Sequence, residues 1–457
     1  MSGHLTMSFL YIFLALAVGI KERLRISQTG IDPLTIIVTF AFIYIVMPSI
    51  VIHSIMGFYG DSVQTNIYFF DKVLFKINFF DSILIFILTS IFIFGLYSFA
   101  NQKNVNSLQT DSATIQYNKK AAAIITIVIF IICAKFFTDL GGDFSERYSE
   151  LIKFRSLDLN SNRTFFSANA FSLAQTLAWL SAAMFYISVS RRNKWLSILY
   201  FCIMMFGIFL MGSRRSIIFA VLIIYFCTII YGKKFKFSKI IWTIPPFIVW
   251  IAFGKEILGS VVYSVDTDVV LNQYSSVPSL LLRAFCDIGI TQLSSFAVMQ
   301  HFDLNLRFGV DHLLSVLRRF PEGMLGFEIE WPERIVRITT ESFTSADDAD
   351  IAPGLIGQSW FDFPVIGAFF WGALIGFQIR LLNRWSFKYT STPEKNALIT
   401  LLCVVIALPL NTGSFDFTFS IDIIILAVAL MCIFRTEKPK ASVPTSKRFE
   451  NCPATYF

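Results

Sequence analysis

The chain has 457 residues, of which 55% are hydrophobic and 15% charged, with a net charge of +7 and 51 phenylalanines. A soluble domain carries roughly 25% charged residues, because its large exterior must face water. Composition therefore excludes a soluble enzyme, a disordered chain and a disulfide-stapled secreted domain, and leaves an all-α, polytopic integral membrane protein.

A helix needs about 20 apolar residues, and at least about 17, to cross the hydrocarbon layer. In chain order the candidates are Leu5–Ile20, Leu34–Ile55, Ser82–Ala100, Ala121–Phe137, Phe165–Val189, Trp195–Met211, Ser216–Tyr231, Ile240–Val262, Pro364–Leu382, Ala397–Leu410 and Ser420–Phe434. This gives about eleven spans, with ten or twelve open because the first, seventh and tenth are short. The first is read as a retained span, since Met1 to Ser8 has no basic stretch and no small-residue cleavage site follows Ile20. The whole chain reads as one membrane domain. No internal repeat of the transporter kind is evident.

Alternate loops differ sharply in charge. Those at Lys21–Arg25, Lys103–Lys120, Arg191–Lys194, Lys233–Lys239 and Arg380–Lys395, together with the tail from Arg435, hold 22 Lys and Arg. The other short loops hold 8. Positive charge is retained on the cytoplasmic side, so the basic set is expected inside and the N-terminus outside. The outer side then receives the largest polar segment, residues 263–353, with 13 acidic residues against 6 Arg and no Lys.

The most informative local feature is Met211-Gly212-Ser213-Arg214-Arg215-Ser216, where two spans meet at the outer side with almost no loop. Arginine is permanently charged and forms two-pronged bonds to phosphate, so the pair suits a lipid phosphate or pyrophosphate; ordinary headgroup snorkelling is the alternative. Other polar groups lie near the same level: His53, Lys135, Gln175, Lys255 and Glu256 after the Pro245-Pro246 kink, Asp416 and Asp422. Ionisable groups inside a span are costly and face a cavity or a partner, so the shared depth suggests an outward-facing polar cavity. Within the large loop, residues 310–320 read as an amphipathic helix with His312, Arg318 and Arg319 on its polar face. Residues 278–301, carrying Arg283 and Asp287, read as a mostly apolar helix that dips into the interface or roofs the cavity.

The run Asp347-Asp348-Ala349-Asp350 lacks the spacing of a calcium loop and reads as a solvated turn. The seven cysteines are scattered, only Cys286 lying in a long polar loop, so neither a disulfide framework nor a zinc site is expected. No phosphate-cradling glycine loop and no nucleophile elbow is present, so no cofactor, metal or nucleotide is expected, and the basic residues imply no nucleic acid.

With these features the chain resembles the bacterial O-antigen polymerase (Wzy-type) family, which polymerises lipid-linked oligosaccharide repeat units. The likeness rests on many spans with one late dominant loop, on Gly212-Ser213-Arg214-Arg215 opening an apolar helix, and on the helix ending Arg318-Arg319-Phe320-Pro321. It also rests on Pro353-Gly354-Leu355-Ile356-Gly357-Gln358 followed by Phe361, Pro364, Gly367 and Gly372 to Gly376. Gln358 stands where many members carry Glu.

The resemblance implies a fold similar to GT-C-type glycosyltransferases in the bacterial inner membrane, with a periplasmic loop at 263–353 and an active site facing the periplasm. It implies an undecaprenyl-pyrophosphate-linked oligosaccharide as substrate, membrane lipids and a chain-length regulator as partners, and transfer of the growing glycan to the next lipid-linked unit. Cations aimed at the departing pyrophosphate would stabilise the transition state: Arg214 and Arg215 first, with Arg283, Arg318, Arg319 and Lys255 as further contacts. Glu256, Asp287 and His312 are the candidate bases for the acceptor hydroxyl, and Trp360 a candidate sugar-stacking ring. An O-antigen ligase of similar build and a transporter or flippase of lipid-linked sugars are the competing readings.

Overall fold

The structure, a computed structural model of the full chain, describes residues 2–60, 63–65, 68–74, 76–100, 113–143, 146–147, 151, 165–211, 214–230, 276–299, 309, 339, 353–412 and 421–437. Nearly all of these are helical. Among the described residues, eight helices are long and apolar enough to cross a membrane. They are α1 (Ser2–Thr29), α2 (Pro33–Tyr59), α4 (Phe79–Ala100), α5 (Lys119–Asp139), α6 (Phe165–Ser190), α7 (Lys194–Met211), α12 (Ile366–Ser386) and α13 (Pro393–Thr412). Two shorter apolar helices, α8 (Arg214–Ile229) and α14 (Ile421–Ile433), cover two more expected spans. The expected span at Ile240–Val262 lies outside the described residues. The short helices are α3 (Tyr68–Leu74), α9 (Val277–Ile288), α10 (Ile290–Met299) and α11 (Gly354–Asp362). Two strands, β1 (Thr114–Tyr117) and β2 (Phe434–Glu437), pair antiparallel.

Local chemistry sets the boundaries. The Asp32 carboxylate accepts from the Thr35 N–H, with Pro33 opening α2, and the Asn118 and Ser276 side chains cap α5 and α9 in the same way. The α1 helix runs well past the expected end at Ile20. Lys21, Glu22, Arg23 and Arg25 form its last turns rather than a loop, because Glu22 and Arg25 pair one turn apart, and the helix stops at Gly30, φ +77°. Inside α2 the turn Phe42–Val46 is a π-helix. It directly precedes Pro48, whose missing N–H and ring disrupt an α-helical ladder at that point.

The loops of the basic set that are described meet at one end of the bundle. Tyr97, near the end of α4, donates to Glu22 on α1 (2.6 Å), and Lys21 lies over the Tyr97 ring. Arg191, after α6, pairs with Glu394 on α13 (2.7 Å) and lies over the Tyr117 ring of β1. β1 precedes α5 and β2 follows α14, so their pairing ties the chain after the last apolar helix to the chain before α5. Ala113 bridges to Tyr389 after α12. The alternation of charge thus matches an alternation in space.

Packing is closest between α4 and α12. A Cβ on Gly95 would sit 2.5 Å from the Phe369 carbonyl oxygen, and one on Gly372 or Gly376 would overlap the carbonyls of Phe92 and Leu96. Small residues allow such approach where lipid supplies no hydrophobic drive between helices. The α6 helix is the central post on the other flank. It packs against α5, α7, α8, α13 and α14 and is mostly buried over Leu173–Ser190.

Candidate functional site at the end opposite the basic loops

The end opposite the basic loops is uneven, and α8 shows why. Phe219, five residues after Arg214, stacks on Trp179 at 5.2 Å, fourteen residues after Phe165 where α6 begins. At 1.5 Å per residue, α8 therefore starts about 13 Å short of the start of α6. Phe219 also lies 5.9 Å from Tyr44, fifteen residues before the end of α2 at Tyr59, and that comparison places α8 about 15 Å short. Its neighbours stop short as well. Asn396 reaches the Cys227 carbonyl, which puts the Thr412 end of α13 within about one turn of the level of Arg214. α14 and α5 are joined at the basic end through the Asn118 N–H and the Ile433 carbonyl, yet α14 has 13 residues against 21 in α5. Its first described residue, Ile421, stands about 12 Å lower. Among the described residues, the ends of α7, α8, α13 and α14 thus stand lower than those of α2 and α6.

The expected Arg pair stands at this lower level. Arg214 and Arg215 are the first two residues of α8. Gly212, Ser213 and the two arginine side chains lie outside the described residues. The first turn of α8 contains no acidic residue. A helix N-terminus already carries about half a positive charge and unpaired N–H groups, so fixed guanidinium charge on its first turn is electrostatically unfavourable without an anion. A helix start of this kind is a ready phosphate site. Asp422 is the second residue of α14, its side chain outside the described residues, as is Asp416.

Of the remaining expected site residues, Lys255, Glu256, His312, Arg318 and Arg319 lie outside the described residues, as do the 310–320 helix and Asp347, Asp348 and Asp350. Arg283 and Asp287 are described: they lie one turn apart on α9, Arg283 half-buried and Asp287 exposed. The segment carrying them is helical and packs on the bundle, with Gly289 against Pro48 and Phe296 edge-on to His53 at 5.7 Å. Cys286, read as a loop cysteine, is buried in α9. Burial pushes its thiol well above its ordinary value, with Asp71 and Asp287 adding to the effect.

Trp360 is half-buried on α11 and packs against the core. Gln358 is buried and donates to Asp362 at 3.3 Å, and Trp371 and the Gly309 N–H donate to the same carboxylate at 3.1 and 3.2 Å. Asp362 is thus a buried acceptor that joins α11 to α12, a role with no advance signal in the sequence. Gly354, at φ +77°, brings α11 so close to α10 that a Cβ there would overlap the Thr291 carbonyl oxygen.

Two polar residues proposed to share the depth of the Arg pair have local explanations. Lys135 pairs with Asp139 one turn on at 2.9 Å, both well exposed. His53 is fully buried and its Nδ1 lies 3.0 Å from Nδ1 of His4 on α1. Gln175 is half-buried on α6. Comparison with known proteins adds no relative: no family model, no curated protein and no solved structure matches the chain.

Proposed function

We propose that the chain is a glycosyltransferase of the O-antigen polymerase type, which transfers a glycan from undecaprenyl pyrophosphate to the next lipid-linked oligosaccharide at the start of α8. The observation that carries this reading is the start of a recessed apolar helix on two consecutive arginines with no acid in its first turn. Dipole, free N–H groups and guanidinium charge there share one sign, and a diphosphate neutralises all three.

In the proposed reaction the acceptor hydroxyl attacks the anomeric carbon, the bond from that carbon to the phosphate oxygen breaks, and the pyrophosphate leaves on its lipid. Arg214 and Arg215 stabilise the charge that grows on the leaving oxygen. The hydroxyl proton passes to a general base, for which Glu256, Asp287 and His312 are the candidates. Arg283, one turn from Asp287 on α9, is a second contact for the diphosphate.

The test is reconstitution of the full chain with an undecaprenyl-pyrophosphate-linked oligosaccharide. The account expects ladders of longer glycans, lost by about 10²-fold or more in Arg214→Ala/Arg215→Ala at equal folded yield, the scale for removing one preorganised charge donor. A double variant that polymerises at the parent rate overturns the reading. Transfer to a lipid A–core acceptor alone favours the ligase, and movement of substrate across the bilayer without bond cleavage favours the flippase.

A further inference from the structure

A second polar centre lies within the bundle, away from the Arg pair. It is built from α1, α2, α4 and α10. Tyr11, Ser49, His53, Thr89 and Gln292 are all buried, none more than 2% exposed. The Ser49 and Thr89 hydroxyls and the Gln292 amide are the polar side chains that act on the Tyr11 phenol. None of them reaches it in hydrogen-bonding geometry: the Tyr11 hydroxyl, Thr89 Oγ1, Gln292 Nε2 and His53 Nε2 have no hydrogen-bond partner among the described residues. The rest of the cluster is well bonded. The Ser49 hydroxyl donates to the Ile45 carbonyl at 2.8 Å, the Ser8 and Ser54 hydroxyls are 2.6 Å apart, and His4 meets His53.

The four orphans come from four helices, α1, α2, α4 and α10. Each buried polar group left without a partner costs about 1–3 kcal/mol, and more than nine in ten such groups are satisfied. A site lined by neutral hydroxyls, an amide and an imidazole offers both donors and acceptors but no carboxylate, which disfavours a buried cation. A water molecule typically makes about three hydrogen bonds to otherwise unsatisfied buried groups, the valence this cluster presents.

We propose that Tyr11, Thr89, Gln292 and His53 enclose a buried water site that keys the α9–α10 segment to the first three spans. Gln292 is the contribution of that segment, so hydration of the site fixes the position of α9 with Arg283 and Asp287. The proposal stands independently of the glycosyltransferase reading.

Radiolytic hydroxyl-radical footprinting of the full chain in detergent tests it directly, because buried water generates radicals in place. The expected result is rapid labelling of Tyr11, far above the equally buried Phe92 after correction for intrinsic ring reactivity. Labelling of Tyr11 no faster than Phe92 overturns the proposal. Isosteric variants give a second readout of opposite sign in the two cases. With water present, Tyr11→Phe and Thr89→Val each lower the Tm, by about 2 °C or more, since each removes a hydrogen bond to it. In a dry site the same changes remove an unsatisfied group and raise the Tm. Exchange of Na+ for choline leaves the Tm unchanged; a sodium-dependent shift overturns water in favour of a cation.

Discussion

The two ends of this bundle handle charge in opposite ways. At the basic end, the buried or half-buried acids Glu22, Asp32 and Glu394 are met by arginines. Arg25 holds Glu22 at 2.6 Å and Asp32 at 2.5 Å and donates to Thr35, all with little exposure, while Glu394, almost fully buried, is met by Arg191. These contacts join α1 to the start of α2, and α6 to α13. At the other end the ion pair that is described, Lys135 with Asp139, is exposed and joins neighbouring turns of one helix. Arg214 and Arg215 open α8, where the helix dipole disfavours added positive charge. Paired charge fixes helix ends; a cationic helix start with no acid in its first turn suits an anion that arrives. One end is therefore expected to fail by unfolding, the other by loss of function.

The largest effect separates the two ends directly. Arg25→Leu leaves Glu22 and Asp32 buried against a hydrocarbon side chain and is expected to cost about 3–5 kcal/mol, read as loss of folded yield and a fall in Tm in detergent. Arg214→Ala is expected to leave the Tm unchanged or to raise it, because it removes charge from a helix N-terminus. Matching falls in Tm for the two would erase the contrast. Next comes Gly372→Leu, which drives a side chain into the Phe92 carbonyl and is expected to cost about 3 kcal/mol. Gly19→Leu, where nothing stands within 4 Å, is its neutral control in the same assay.

Glu394→Gln keeps the shape of a buried partner but removes its charge. Because Arg191 is 44% exposed, the expected loss is small, about 1 kcal/mol by thermal unfolding. Lys135→Ala, in an exposed pair, is expected within about 0.5 kcal/mol of the parent. Cys286 gives a chemical test of burial. With its thiol value raised, the native protein carries no thiolate at mildly alkaline pH, so maleimide is expected to modify Cys286 only after unfolding. The sign for stability follows. Below the ordinary thiol range, folded and unfolded chains hold the same proton. Above it the unfolded chain alone loses that proton, so this group makes stability fall as pH rises.

Much of the fold was legible because hydrophobic length and loop charge are one-dimensional signals. The span ending at Ala100 and the one expected at Pro364–Leu382, found as Ile366–Ser386, need only composition, and the alternation of Lys and Arg foretold which helix ends meet. The pairing of Glu22 with Tyr97, 75 residues apart, needs three dimensions, as do the carboxylate of Asp362 and the His4–His53 contact. The continuation of α1 to Thr29 was missed because charged residues read as loop, whereas a one-turn ion pair makes them helical. The Arg pair was visible as residues in an unexpected place. Its recession was not, since depth depends on where α6 and α2 end relative to α8.

The account depends on the side of the membrane that the α7–α8 turn faces. The direct measurement is cysteine accessibility at Ser213→Cys in a background lacking the seven native cysteines, with a membrane-impermeant maleimide applied to intact cells and to cells opened from within. The account predicts labelling from outside, blocked by an added lipid diphosphate, with a cysteine placed beside Arg191 labelled from the cytoplasm alone. Labelling of position 213 from the cytoplasm alone would contradict it.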